Sequence, residues 1–281
     1  MEADERRGLI AEFRVAAEAV SSHRELASVA LRLSRIEQTR LRLGEAEAAL
    51  DGLREGARRA AADADCVAAK RIALDGYLFA TQGFRGARGA EFGPDTALLD
   101  RIVDARVGIP IGLSTIYMTC AEGVGLKTHG IGFPGHFLVG CLDEWRETTV
   151  VDPFYRGRTL GSETLVGQLA EQGFPAQSLD FHLRPSSYPE ILIRMLRNLT
   201  GMYRRAGNFA ALLVALEHLL ALDPGNGRYL RERGIVHDQL GAHDAARRDY
   251  EDFLEISPDD AEASSVMEQL RRLPRGTRLT H

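Results

Sequence analysis

Lysine is nearly missing from this chain: Lys70 and Lys127 are the only two among 35 basic residues, and the rest are arginine. The arginines are interleaved with acids and accompanied by abundant Ala and Gly. That pattern reads as the codon bias of a GC-rich bacterial genome rather than as a phosphate-binding device. Cysteine is scarce as well. Cys66, Cys120 and Cys141 form no Cys-x-x-Cys pair and are odd in number. This excludes a disulfide framework and a zinc ribbon, and it points to a reducing compartment. No apolar run approaches the ~20 residues needed to span a bilayer. The opening Met1-Glu-Ala-Asp-Glu lacks the apolar stretch of a signal peptide. A cytoplasmic protein with no membrane partner is therefore expected. A formal charge of −5 likewise argues against nucleic acid as a partner. What remains is an ordinary globular composition. With 281 residues, 44% hydrophobic and 27% charged, the chain can bury a real core and form two domains, or one with an appendage.

Residues from about 5 to 80 are rich in Ala, Leu, Glu and Arg and contain no Pro. Leu26, Val29, Leu31, Leu33 and Ile36 recur at helical spacing, and Gly44, Gly52 and Gly56 mark breaks or bends. The heptads are not sustained, so an antiparallel helical subdomain is expected over 1–82 rather than a coiled coil. A Gly-rich loop follows, from Gly83 to Pro94, and Asp95 is placed to cap a helix running to about Arg106. A second helix starts at Pro110-Ile-Gly. Its Leu113, Ile116, Tyr117, Cys120 and Val124 follow the spacing of one buried face. The pattern then turns to short β-like runs: Ile131–Phe133, His136–Leu142 and Thr148–Val151, with Asp143–Glu147 as a polar hairpin tip.

The C-terminal third repeats. Pro224 and Pro258 are 34 residues apart, as are Gly207 and Gly241. A 34-residue helix-turn-helix unit, with Gly in the turn and Pro after the second helix, is the tetratricopeptide pattern. Thr200 and His237 depart from it. Two such units are expected over 186–281, closed by a capping helix from about Asp259 to Leu273.

Chemistry concentrates on the hairpin. The midpoint of His136 and Asp152 is position 144, inside the tip. A symmetric register would set the two opposite each other, with Cβ atoms about 4.5–5.5 Å apart. A carboxylate there can fix the tautomer and orientation of the imidazole. A register shifted by two would make the contact diagonal. Spacing alone serves equally well a His-Asp pair that merely satisfies two polar groups. An oriented imidazole needs a group to activate, and a cysteine is most reactive at a helix N-terminus. No Cys, Ser or Thr stands between Pro110 and Gly112. Ser114 is a turn further in, and Cys120 is about 15 Å along the helix at ~1.5 Å per residue and on its apolar face. Cys141 is an odd number of residues from His136, on the opposite face of its strand. Gly130-Ile-Gly132-Phe-Pro-Gly135 matches Gly-x-Gly-x-x-Gly but precedes a β-like run, so no dinucleotide is expected. His129, His136 and Asp152 match no standard ligand spacing, so no metal is expected either.

Gly83-Phe-Arg-Gly, Leu98-Leu-Asp-Arg-Ile-Val, the run Arg106 to Tyr117, Gly132 to Val139 and Asp152-Pro-Phe-Tyr-Arg-Gly157 together resemble the SirB1 family. The resemblance covers roughly Leu26 to the C-terminus. It implies an α+β architecture: an N-terminal helical region, a papain/transglutaminase-like core over 83–183 with a helix on a small antiparallel sheet, and all-α repeats. Active transglutaminase-like enzymes carry their nucleophile in a Gly-x-Cys at the start of the core helix, about fifteen residues before a Gly-Ile or Gly-Leu. Here Gly108-Ile-Pro110 takes that place, fifteen residues before Gly125-Leu126, so Pro110 stands at the cysteine position. His136 and Asp152 fall on the family's His and Asp. The expectation is a protein lacking thiol catalysis, with no cofactor, that binds a protein or peptide through its cleft and repeat groove. A hydrolase or acyl-transferase using His136 and Asp152 with Ser114 or an activated water stays open as the second reading.

Overall fold

The structure, a computed structural model, describes residues 3–274. The chain divides into two compact units. One spans Ala16–Met195. The other holds the described residues up to Val15 and from Leu196 onward. The N-terminal helices are α1 (Ala3–Glu18), α2 (His23–Arg32), α3 (Leu43–Ala60) and α4 (Val67–Asp75). A π-helical turn, Gly76–Thr81, continues α4. The described residues from Ala3 to Thr81 are thus largely helical. The contacts, however, group α2, α3 and α4 with the sheet, and the start of α1 with the repeats.

Local chemistry sets these elements. Ser22 caps α2, its side chain accepting from the Glu25 N–H at 3.2 Å. The Glu122 carboxylate accepts the next free N–H groups, from His23 and Arg24, at 3.2 Å each. These bonds satisfy donors that a helix start leaves without partners. The chain then forms β1 (Arg85–Gly86), α5 (Leu99–Ala105) and β2 (Val107–Gly108). β1 and β2 make a short parallel ladder. The helix expected from Asp95 begins later, at Leu99, because Pro94–Thr96 closes a separate 3-10 turn.

Helix α6 (Pro110–Gly123) is the centre of this unit. Pro at its first position costs nothing, since that N–H has no intrahelical partner. Every residue from Ile111 to Ala121 is buried, whereas the sequence suggested one apolar stripe. The reason is enclosure. Helices α2 and α3 pack against α6, as do two strands of the sheet. A helix so enclosed is apolar all round.

The sheet is an antiparallel meander of β3 (Lys127–Ile131), β4 (Leu138–Leu142), β5 (Thr148–Asp152) and β6 (Arg158–Leu160), in that order. One face carries Ile131, Leu138, Val150 and Leu160. It packs against Leu165 and Leu169 of α7 (Ser162–Glu171). Val139, Cys141 and Val151 alternate with these and are buried on the other face, and α6 packs on β3 and β4. After the short α8 (Leu179–His182), Pro185 bridges Ile131.

The repeat unit contains the C-terminal part of α9 (Tyr188–Arg205), then α10 (Phe209–Leu222), α11 (Gly227–Gln239), α12 (His243–Ile256) and α13 (Ala263–Arg272). Gly207 and Gly241 adopt φ of 66° and 73° in the two inter-helix turns, a conformation that favours glycine. Gly234 has a second requirement: a Cβ there would lie 2.6 Å from the Tyr250 ring. In the same unit, Phe13 of α1 is fully buried and meets His218 edge-on, ring centroids 4.9 Å apart. Arg6 pairs with Glu217 at 3.0 Å.

Candidate functional site

Asp152 ends β5, and the following Pro153 starts a 3-10 turn. The Asp152 side chain caps that turn. Oδ1 accepts the Phe154 N–H at 3.0 Å and the Tyr155 N–H at 3.4 Å. The carboxylate is 1% exposed, and His136 Nε2 lies 2.9 Å from each of its oxygens. A buried carboxylate with three donors is well compensated for lost water. It also holds the imidazole by one nitrogen. The other nitrogen, Nδ1, makes no hydrogen bond among the described residues.

The route to this contact differs from the symmetric hairpin. Leu142 pairs with Thr148 and Val139 with Val151, which centres the ladder on position 145. Asp152 therefore comes beside Leu138. His136 lies two residues earlier, in the turn before β4, and the contact is diagonal. The turn is held from outside the hairpin. Arg194 of α9 donates from Nη2 to the Phe133 carbonyl at 2.9 Å and also to the His136 carbonyl, and it lies over the Phe137 ring at 5.5 Å. Nothing near Arg194 in the sequence signals this role.

Aromatic rings surround the imidazole. Phe154 meets it edge-on at 5.6 Å and Tyr155 stacks beside it at 6.1 Å. Both sit in the Asp152-Pro-Phe-Tyr run, so the motif itself carried their signal. Phe154 packs on Gly86, where a Cβ would come within 2.7 Å of its ring. The loop from Asp152 to Gly157 closes through the Gly157 N–H to Asp152 carbonyl bond at 2.9 Å. Beneath Gly157 lies Asp75, whose carboxyl burial pushes up to about 6. Asp75 accepts from the Tyr117 hydroxyl at 2.9 Å and pairs with Arg71 at 3.0 Å.

The remaining candidates do not join this group. Pro110 heads α6 and offers no nucleophilic atom. Ser114 is fully buried and donates to the Phe137 carbonyl at 3.3 Å, so its hydroxyl is closed to a substrate. Cys120 is fully buried, and burial pushes its thiol up to about 12. Burial likewise raises the Cys141 thiol. Cys66 is exposed at the head of α4. His129 stands opposite Gly140, with its ring against it, and burial lowers its pKa. The Gly130 to Gly135 run closes β3 and turns into the His136 segment, with no helix after it. No three His, Cys, Asp or Glu among the described residues are arranged to hold a metal ion. No described helix is long and apolar enough to cross a membrane.

Comparison with known proteins agrees with this layout. Residues 44–197 match the transglutaminase-like superfamily, and residues 199–271 match the tetratricopeptide repeat. The chain is 32% identical over 198 residues to a UPF0162 protein of Xylella fastidiosa (strain 9a5c), covering 67% of this chain and 68% of that one. A UPF0162 protein of Pseudomonas aeruginosa is 28% identical over 236 residues, 83% of this chain and 86% of its own. Protein SirB1 of Salmonella typhimurium is 24% identical over 192 residues, 68% of this chain and 71% of its own. No solved structure matches the chain. The chain belongs to the transglutaminase-like superfamily and, within it, to the SirB1 family, with tetratricopeptide repeats following its core.

Proposed function

We propose that this is a transglutaminase-like protein without thiol catalysis, which binds a protein or peptide partner through its cleft and its repeat groove. The observation that carries this reading is the head of α6. Pro110 fills the position that the family resemblance reserves for the nucleophile, while His136 and Asp152 stay in contact. Proline has no group that an imidazole could activate. Among the described residues no cysteine hydrogen-bonds His136. The buried Cys120, with its thiol near 12, carries negligible thiolate at neutral pH. Tetratricopeptide arrays present concave surfaces to peptides, which supports a binding role for both parts of the chain.

A second reading rests on the imidazole itself. Its Nδ1 makes no hydrogen bond among the described residues, and a chain that used this nitrogen to activate water would be a hydrolase or acyl-transferase without a cysteine. Substituting His136→Ala and Asp152→Asn separates the two. The binding reading expects no hydrolysis of peptide or amide substrates by the wild type, and peptide binding that depends on the cleft. Hydrolysis by the wild type that both variants abolish, with circular dichroism unchanged, would sink it.

A further inference from the structure

The surface beside His136 is aromatic and basic. Phe92 extends the aromatic row, 6.4 Å from Phe154. Tyr155 is 60% exposed and Phe92 49%, so two large rings beside the candidate site stay in water. Through Phe154 the two exposed rings join one aromatic row, and contiguous exposed apolar surface marks interaction sites. Two arginines follow Tyr155. Arg156 holds a left-handed φ of 58°. Arg158 stands opposite Asp152 in the ladder, and opposed residues share one face of a sheet. Both arginines are exposed, and neither makes an ion pair among the described residues. Asp152 makes no ion pair with them; its oxygens accept from His136 and from the backbone of the next turn. Positive charge and apolar rings thus lie side by side in a chain whose formal charge is −5.

Resting on the reading of this cleft as a peptide site, we propose that its ligand is an extended acidic polypeptide segment, with a carboxylate side chain on Arg158 and Arg156 and a neighbouring aromatic or apolar side chain on Tyr155 and Phe92. Guanidinium and carboxylate match in geometry and charge. Ring pairs at the separations seen here favour a further aromatic group in edge or offset contact. Arginine beside exposed rings also suits single-stranded nucleic acid. Nucleic-acid affinity, however, rests on many phosphate contacts, and a net-negative chain whose arginines are interleaved with acids offers no extended basic track.

The test uses the full chain and fluorescently labelled polymers: a random Glu-Tyr copolymer, polyglutamate, a Lys-Tyr copolymer and oligouridylate. The Glu-Tyr copolymer is expected to bind at least about tenfold more tightly than each of the others, the loss expected when a charge-assisted contact or a stacked ring is missing. Arg158→Glu and Tyr155→Ala, both surface changes, should each weaken it by about tenfold with circular dichroism unchanged. If Glu-Tyr binding ignores both variants, the ligand chemistry is wrong while a peptide site elsewhere in the cleft stands. Equal binding of the Lys-Tyr copolymer overturns the charge selection. Preferential, variant-sensitive binding of oligouridylate replaces the peptide with nucleic acid. No binding by any polypeptide overturns this proposal and the peptide-binding reading together.

Discussion

Restoring a thiol at the head of α6 is the most direct perturbation of the site. Pro110→Cys keeps the helix start, since the N–H regained at the first helical position needs no intrahelical partner. An ordinary cysteine titrates near about 8.5, whereas one at a helix N-terminus beside an imidazolium falls to about 3.5–7.5. The helix end contributes only about 0.3–1 kcal/mol of this, less than one pKa unit at about 1.4 kcal/mol each. Any fall beyond that must come from His136, held by Asp152 at 2.9 Å. A thiol near pH 6 would represent roughly 3 kcal/mol of preference for the thiolate. The assay is the pH dependence of alkylation by iodoacetamide. It is run in a Cys66→Ser background because Cys66 is exposed, while Cys120 and Cys141 are buried. Pro110→Cys should titrate at about 6–7, and adding His136→Ala should return it to about 8. A thiol titrating near about 8.5 in both backgrounds would refute the idea that residue 110 and His136 share one cleft.

Three further outcomes follow from burial. His218 is buried, its Nδ1 bonded to the Val214 carbonyl at 2.8 Å, and burial pushes its pKa down to about 4. Its folded pKa lies below the unfolded one. The stability it contributes is therefore complete above about pH 6.5 and lost as pH falls through about 4, up to roughly 3 kcal/mol. Urea unfolding of wild type and His218→Leu at pH 7 and pH 4 should show the gap change by that order, and a constant gap counts against it. Asp75 has the opposite sign. Its folded pKa of about 6 exceeds the ordinary value, so its contribution falls as pH rises from about 4 through about 6. Asp75→Asn, which can still accept from Tyr117, should gain stability relative to wild type at pH 7 but not at pH 4. The gain is capped at roughly 3 kcal/mol, and equal stability at both pH values would contradict it. Finally, a thiol reagent should label Cys66 quickly in the native protein and reach Cys120 only on unfolding. Fast native labelling of Cys120 would mean that α6 opens far more readily than its burial implies.

Much of this architecture was legible along the chain because it depends on local periodicity. The 34-residue spacing of Gly207 and Gly241, and of Pro224 and Pro258, needs only turn chemistry and helix length. The polar tip from Asp143 to Glu147 shows where a hairpin turns, and Pro110 marks a helix start by its own backbone constraint. The family motifs drew attention to His136, Asp152 and the rings that follow it. Tertiary structure decided the rest. A hairpin centre of 145 rather than 144, a shift of two in pairing, changes an opposed pair into a diagonal one on the same face, since strand register follows from the packing of whole faces. Ser114 looked available at one turn from the helix head, yet the Phe137 carbonyl closes it off. Arg194, 58 residues from His136, holds the His136 turn through carbonyls that have no signature in the sequence. Local spacing sets which elements form. The orientation of an imidazole, and which hydroxyl or thiol meets water, is set by contacts between residues far apart in the chain.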